Sequence, residues 1–206
     1  MSATGKRPYR MRARAEAMSA TRQQIIDAAA ERLRDSPAPL ALLEVAVRAG
    51  VSRTTLYRHF ASVTELLDAV GGDLLTRARF GELLAALERP DPVEALRAVI
   101  GRGTAIWALD APLVRNMMAL AAVQPEAVPV IEQLELGRAQ AMARLVERIA
   151  AAGRLRPGLA RERAVDLLTA VTSFATWDQL ATRRRRGARA ARASVIDLAM
   201  RAVVRD

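Results

Sequence analysis

Three residues constrain the fold of this chain more than any others: Ala46, Gly50 and Leu56. They lie in the stretch EVAVRAGVSRTTLYRHF, Glu44 to Phe60. A small residue sits within a helical pattern. Four positions on comes a glycine, which takes the left-handed turn conformation at no steric cost. Six positions further, an apolar residue falls in a second helix. Two helices that cross steeply over a turn of roughly three to four residues need this arrangement. The alanine allows close approach, the glycine makes the corner, and the leucine fills the wedge. Val45, Ala49 and Val51 complete the inner face.

The outer face of the second helix presents Arg53, Thr54, Thr55, Tyr57, Arg58 and His59 around a minimal apolar anchor, Leu56 and Phe60. The chain has one histidine, two tyrosines and three phenylalanines. Three of these six residues fall between Tyr57 and Phe60, beside arginines. Arginine reads guanine edges bidentately, and threonine methyls meet thymine methyls. Tyrosine, histidine and amides at a helix start bind phosphate oxygens. This face therefore suits a DNA duplex. The plain alternative is an ordinary helical corner with a solvated polar face.

Charge points the same way. The net charge is +10. Residues 1–61 carry 11 Arg and Lys against 5 Asp and Glu, and the other 145 residues carry 21 against 17. Six of the later positives form one run, Arg183 to Arg186 with Arg189 and Arg192. A basic N-terminal third points to a polyanionic partner, nucleic acid before membrane, with plain solubility as the alternative that charge alone leaves open. The run itself reads as a solvated loop, with a second polyanion contact as the sharper alternative.

Pattern and punctuation predict an all-α chain of about nine helices. Residues 1–18 read as a basic flexible arm (Lys6, Arg7, Arg10, Arg12, Arg14), partly helical at most. Ile25, Ala28, Ala29 and Leu33 then recur at helical spacing. Thr21 and Gln24 resemble a capping box at that helix's start. Two prolines make Asp35 to Pro39 a loop. Helices are expected over about 40–48, 53–59 and 63–79, the last opened by Ser62 and Glu65 and weakened by Gly71-Gly72. Pro92 suits the first position of the next helix, to about Leu109. Further helices are expected over about 113–123, 125–152, 160–182 and 188–204, with Gly153 stopping the longest. No alternating β-branched run or Asn-Gly hairpin signal occurs.

At this point the stretch AVRAGVSRTTLYRHFASVTELL resembles the DNA-binding segment of TetR-type (tetracycline-repressor-like) transcriptional regulators. Val45, Ala46, Ala49, Gly50, Val51, Ser52, Thr55, Leu56, Tyr57, His59, Phe60, Ser62 and Leu66 fit the family pattern. TRQQIIDAA resembles its first helix. Three positions depart: Thr54 replaces a frequent glycine or alanine, Val63 a phosphate-binding lysine, and Ala41 the threonine that starts the second helix. The five-charge arm is placed to compensate for the lysine, and an arm on DNA implies a steep salt dependence.

The resemblance implies a helix-turn-helix domain over residues 19–67 and a helical ligand-binding and dimerisation domain over 68–206. It implies a repressor that leaves palindromic double-stranded DNA when a small apolar or amphipathic effector binds. It also implies a homodimer through the last two helices. Arg12, Arg14, Arg53, Thr54, Thr55, Tyr57, Arg58 and His59 are the expected DNA contacts. Pockets between helices are mostly apolar with few polar groups. Trp107, Met117, Met118, Leu134, Phe174 and Trp177 are the large apolar residues expected near such a pocket. Asn116, Asp178, Ser173 and Thr176 are candidates to orient a ligand. For the apolar candidates, ordinary core packing is the competing reading.

Other chemistry finds little support. One histidine and no cysteine disfavour a metal site, disulfides and thiol chemistry. A Ser-His-Asp triad has only His59 to recruit. GRGT at Gly101 lacks a preceding strand and a third glycine, so a dinucleotide site is not expected. No cofactor and no enzymatic activity are expected. The longest apolar run, Met117 to Val123, is far short of the roughly 20 residues a membrane span needs. The N-terminus is charged from Lys6 and has no apolar leader core, so a cytoplasmic protein is expected. A ligand-insensitive architectural DNA-binding protein and a helical small-molecule carrier remain as alternatives.

Overall fold

The computed structural model describes residues 6–205, and their side chains from residue 15 onward. Eleven α-helices and no strand occur among the described residues. The first helix, α1 (Lys6–Asp35), is longer than expected. It runs through residues 6–18, the stretch expected to be an arm, and at 30 residues spans about 45 Å. Pro8 falls in its first turn, where backbone amides have no intrahelical acceptor. Thr21 is therefore mid-helix, not a cap: its hydroxyl donates back to the Ala17 carbonyl at 3.0 Å. The contacts predicted for Arg12 and Arg14 lie outside the described side chains.

Helices α2 (Leu42–Arg48) and α3 (Arg53–His59) pack on α1 through Ile25, Ala29, Leu33, Val45, Leu56 and Phe60, all fully buried. Gly50 makes the corner with φ +64°. Val51 N–H donates to the Ala46 carbonyl at 3.0 Å and Gly50 N–H to Val47 at 3.1 Å. That pair of bonds satisfies the last carbonyls of α2. Ala41 precedes α2 with no side-chain cap, as its departure from the family pattern implies. Ser52 caps α3 by accepting from Thr55 N–H at 3.1 Å. Ser62 caps α4 (Val63–Arg77) by accepting from Glu65 N–H at 3.1 Å, and the Glu65 carboxylate accepts from Ala61 N–H at 2.8 Å.

Two breaks account for the helices beyond nine. Arg79 adopts the left-handed conformation (φ 55°, ψ 54°) and separates α4 from α5 (Phe80–Leu87). Ser173, extended at ψ 154°, separates α9 (Arg161–Val171) from α10 (Phe174–Asp178) and caps the latter. Sequence pattern ends the fourth helix at about Arg79 and misses α5 beyond it, and it runs through Ser173, where no proline or glycine marks the break.

The remaining body is α6 (Pro92–Leu109), α7 (Ala111–Leu120), α8 (Val128–Ala151) and α11 (Gly187–Val203). Asp91 and Asp110 cap α6 and α7. A three-residue tight turn, Pro125–Ala127, precedes α8. A π-helical turn, Gln179–Arg183, follows α10. Helix α6 is central, packed by α5, α8 and α11. Gly153, at φ +67°, ends α8 as expected. No described helix is long and apolar enough to cross a membrane.

Candidate functional site

Helix α3 is seven residues long, and its inside and outside are sharply divided. Leu56 is fully buried, whereas Arg53, Thr54, Tyr57 and Arg58 are exposed and Thr55 and His59 half-buried. The six outward residues thus form one continuous polar surface. The Arg53 guanidinium lies 5.5 Å from the Tyr57 ring centre, which stiffens both side chains at the surface. The Thr55 hydroxyl is tied to Ser52 at 2.9 Å. Burial pushes the His59 imidazole below its ordinary pKa, and the nearby Arg58 and Arg22 push it the same way. The same causes favour its neutral form. Arg22 also covers the Phe60 ring at 4.8 Å.

A second feature lies in the body. A cavity of about 490 Å³ opens between α4, α5, α6, α7 and α8. Phe80, Leu83, Trp107, Met117, Met118 and Met142 give it an apolar, polarisable wall. The polar groups on its wall are few. Thr104 donates to the carbonyls of Ile100 and Gly101 at 2.9 and 3.1 Å. Arg138 donates to the Thr169 carbonyl at 2.7 Å and pairs with Glu135. This composition suits an apolar or amphipathic guest.

The two features share helices. Helix α4 follows α3 directly and contributes Gly71, Leu74 and Leu75 to the cavity wall. Helix α7 contributes Val114, Met117 and Met118. From its other side the Asn116 amide donates to the carbonyls of Leu33 and Arg34, at 2.6 and 3.2 Å, at the end of α1. Asp110 joins three helices: it caps α7, pairs with Arg34 of α1 at 2.8 Å, and lies 4.0 Å from Arg77 of α4. Gln124 is buried, and its amide exchanges two hydrogen bonds with the Leu40 backbone, at 2.8 and 3.0 Å.

Residues 25–70 match the family model for bacterial regulatory proteins of the tetR family. Over that segment the chain is similar to tetR-family regulators. Solved structures share its fold along nearly the whole length. SmeT in complex with triclosan is 24% identical, with a TM-score of 0.71 over 91% of this chain and 93% of that one. SmeT is the repressor of the Stenotrophomonas maltophilia multidrug efflux pump SmeDEF. NalD, the secondary repressor of the MexAB-OprM multidrug efflux pump in Pseudomonas aeruginosa, is 21% identical, with a TM-score of 0.69 over 92% and 98%. A regulatory protein of the tetR family from Rhodococcus RHA1 gives 21% and 0.69 over 90% and 98%. These identities establish a common fold. A comparison with curated proteins gives no match.

Within this fold the sequence-based site residues divide. Trp107, Met117, Met118 and Leu134 line the cavity. Asn116, Phe174, Trp177 and Asp178 do not. Asn116 is spent on the α1 carbonyls. Phe174 and Trp177 pack edge-on and tilted around Trp107, with ring centres 5.9–6.1 Å apart. They back the wall rather than form it. Asp178 is buried and pairs bidentately with Arg115 at 2.6 and 3.2 Å. Arg115 holds its carboxyl below the usual range, helped by the Thr182 hydroxyl. Ser173 and Thr176 serve the α10 cap. Sequence reading missed the α4 and α5 wall, Leu74, Leu75, Phe80, Leu83 and Leu84.

Proposed function

We propose that the chain is a homodimeric TetR-type repressor that holds palindromic operator DNA through α3 and releases it when a small apolar or amphipathic molecule fills the cavity. The carrying observation is that α4 and α7 both line the cavity and grip the DNA-reading head. A guest that reshapes either wall displaces α1 and α3 with it. Release then follows from unequal affinity for two arrangements of the heads.

In this reading Arg53, Thr54 and Thr55 meet base edges, while Tyr57, Arg58 and His59 meet phosphates. Arg12 and Arg14 add phosphate contacts from the upstream turns of α1. Trp107, Met117, Met118 and Leu134 contact the effector. Dimer pairing uses α9 and α11. Leu198 is 46% exposed, and Leu167, Val171, Ile196 and Met200 are half-buried in the single chain. Two-fold pairing places the recognition helices about 34 Å apart, one turn of duplex.

The test is selection of bound duplexes from a random pool at moderate salt, repeated with Tyr57→Ala. Wild-type protein should enrich a palindrome, and the variant should lose it while keeping fold and dimer. Enrichment of no sequence despite salt-sensitive binding would favour the architectural alternative. No DNA binding would refute the repressor reading.

A further inference from the structure

Two glycines sit where helices least favour them. Gly71 lies inside α4 and Gly103 inside α6, both with helical backbone. A glycine in a helix interior weakens the helix relative to alanine. Glycine is retained at such a site for a left-handed angle or for close approach of another backbone. Neither reason applies here. Both have negative φ. A methyl at Gly71 meets its nearest atom, Met117 Cε, at 3.9 Å, and one at Gly103 meets Leu83 Cδ1 at 4.0 Å. Those are ordinary contacts, so alanine fits both sites in the free protein.

What the two positions share is the cavity. Both line it, and so do the side chains their methyls would meet. Each helix also supplies an internal contrast. Gly72 in α4 and Gly101 in α6 have open space around an added methyl and do not line the cavity.

We infer that Gly71 and Gly103 are specificity-determining residues that keep the cavity wide, and that its ligand is a rigid multi-ring apolar molecule rather than a single flexible chain. This rests on the effector reading above. A thin acyl chain bends around an added methyl. A fused or linked ring system does not, and it gains from lying flat against bare helix backbone. The rest of the wall agrees: Phe80 and Trp107 offer ring contacts, and Met117, Met118 and Met142 offer sulfur–aromatic ones.

The experiment uses two fluorescent probes on the full-length dimer. N-phenyl-1-naphthylamine is the ring probe, and cis-parinaric acid is the chain probe. Gly71→Ala and Gly103→Ala should each weaken the naphthylamine by about tenfold, the scale of one overpacked methyl. They should leave parinaric acid within about twofold. Gly72→Ala and Gly101→Ala should change neither affinity. All four variants should melt higher without ligand, by about 2–4 °C each.

Unchanged naphthylamine affinity in the 71 and 103 variants overturns the assignment, as does an equal loss in the 72 and 101 controls. A lowered melting temperature at 71 or 103 overturns the claim that alanine fits the free protein. Wild-type protein that binds neither probe overturns the effector reading itself, and the width assignment falls with it. The two failures are thus distinguishable.

Discussion

The N-terminal head, proposed to read DNA, and the cavity-bearing body hold their chemistry in opposite ways. In the head, the distinctive groups are consecutive: Arg53 to His59 occupy one helix of seven residues, and a single turn sets their direction. In the body, the cavity wall is assembled from residues as far apart as Gly71 and Thr172, on helices that meet only after folding. A surface follows from the order of side chains on one helix. A cavity follows from what several helices leave out where they meet. The head is thus stiff and locally specified, while the body has a space whose shape each neighbouring helix alters.

The division within α3 gives the largest expected effect. Leu56 is fully buried at the helix crossing. Leu56→Ala removes that wedge and should destabilise the fold by about 3 kcal/mol. Tyr57, the next residue, is 43% exposed. Tyr57→Ala should change stability by less than about 0.5 kcal/mol. Urea unfolding of both variants measures the contrast. Equal losses would mean that the outer face of α3 is part of the core, and the separation of reading surface from scaffold would fail.

The joint between the regions comes next. Gln124 satisfies both backbone groups of Leu40 in a buried setting. Gln124→Ala leaves an N–H and a C=O unpaired there, at a cost of about 2 kcal/mol. The same variant should loosen the coupling between head and body. Probe binding should persist in fluorescence titration while its effect on operator affinity shrinks. Loss of stability with coupling intact would locate the coupling in the Asn116 and Asp110 contacts instead.

This contrast also explains what was legible in the sequence. The corner at Gly50, the cap at Ser62, Pro92 at the first position of α6, and the buried stripe of Ile25, Ala29 and Leu33 all follow from local rules, and the structure has each of them. The cavity was legible only in its residue types. Trp107, Met117, Met118 and Leu134 reach it, but Trp177 and Phe174 look identical in sequence and pack behind it. Periodicity says that a side chain points inward, but not whether another helix fills the space it faces. Asn116 and Asp178 lie off the cavity for a related reason. Each is half-buried or buried and polar, but its partner lies 83 or 63 residues away along the chain. The break at Ser173 was missed because an extended serine carries no strong sequence signal, and α5 was missed because its eight residues follow a left-handed arginine with no side-chain cap.

Asp178 offers a smaller effect with a distinctive pH dependence. The Arg115 hydrogen bond, with help from Thr182, lowers its folded pKa. A lowered carboxyl pKa stabilises the fold above the unfolded value of about 3.9 and stops doing so as pH falls through the folded value. Arg115 is about a third exposed, so solvent screens the pair and the contribution is about 1–2 kcal/mol at pH 7. Asp178→Asn should be less stable by that amount at neutral pH. Its stability curve should converge with that of the wild type below about pH 4. Parallel curves across this range would show that the pair contributes nothing through ionisation.

The smallest expected effect is a matter of sign. Local pattern makes Thr21 the start of α1, whereas in the structure the helix passes through it and its hydroxyl turns back to Ala17. A threonine cap lost to alanine costs about 1 kcal/mol. A threonine in the middle of a helix is a poorer helix former than alanine, and its back-bond competes with the backbone ladder, so its replacement gains a few tenths of a kcal/mol, roughly. Thr21→Ala should therefore raise the melting temperature slightly. A fall of several degrees would return the start of α1 to Thr21 and make residues 6–18 the separate basic arm that the sequence suggests. The basic residues upstream would then reach DNA as a tether, with many conformations to lose on binding. On a continuous helix their backbone is already ordered before any duplex is met.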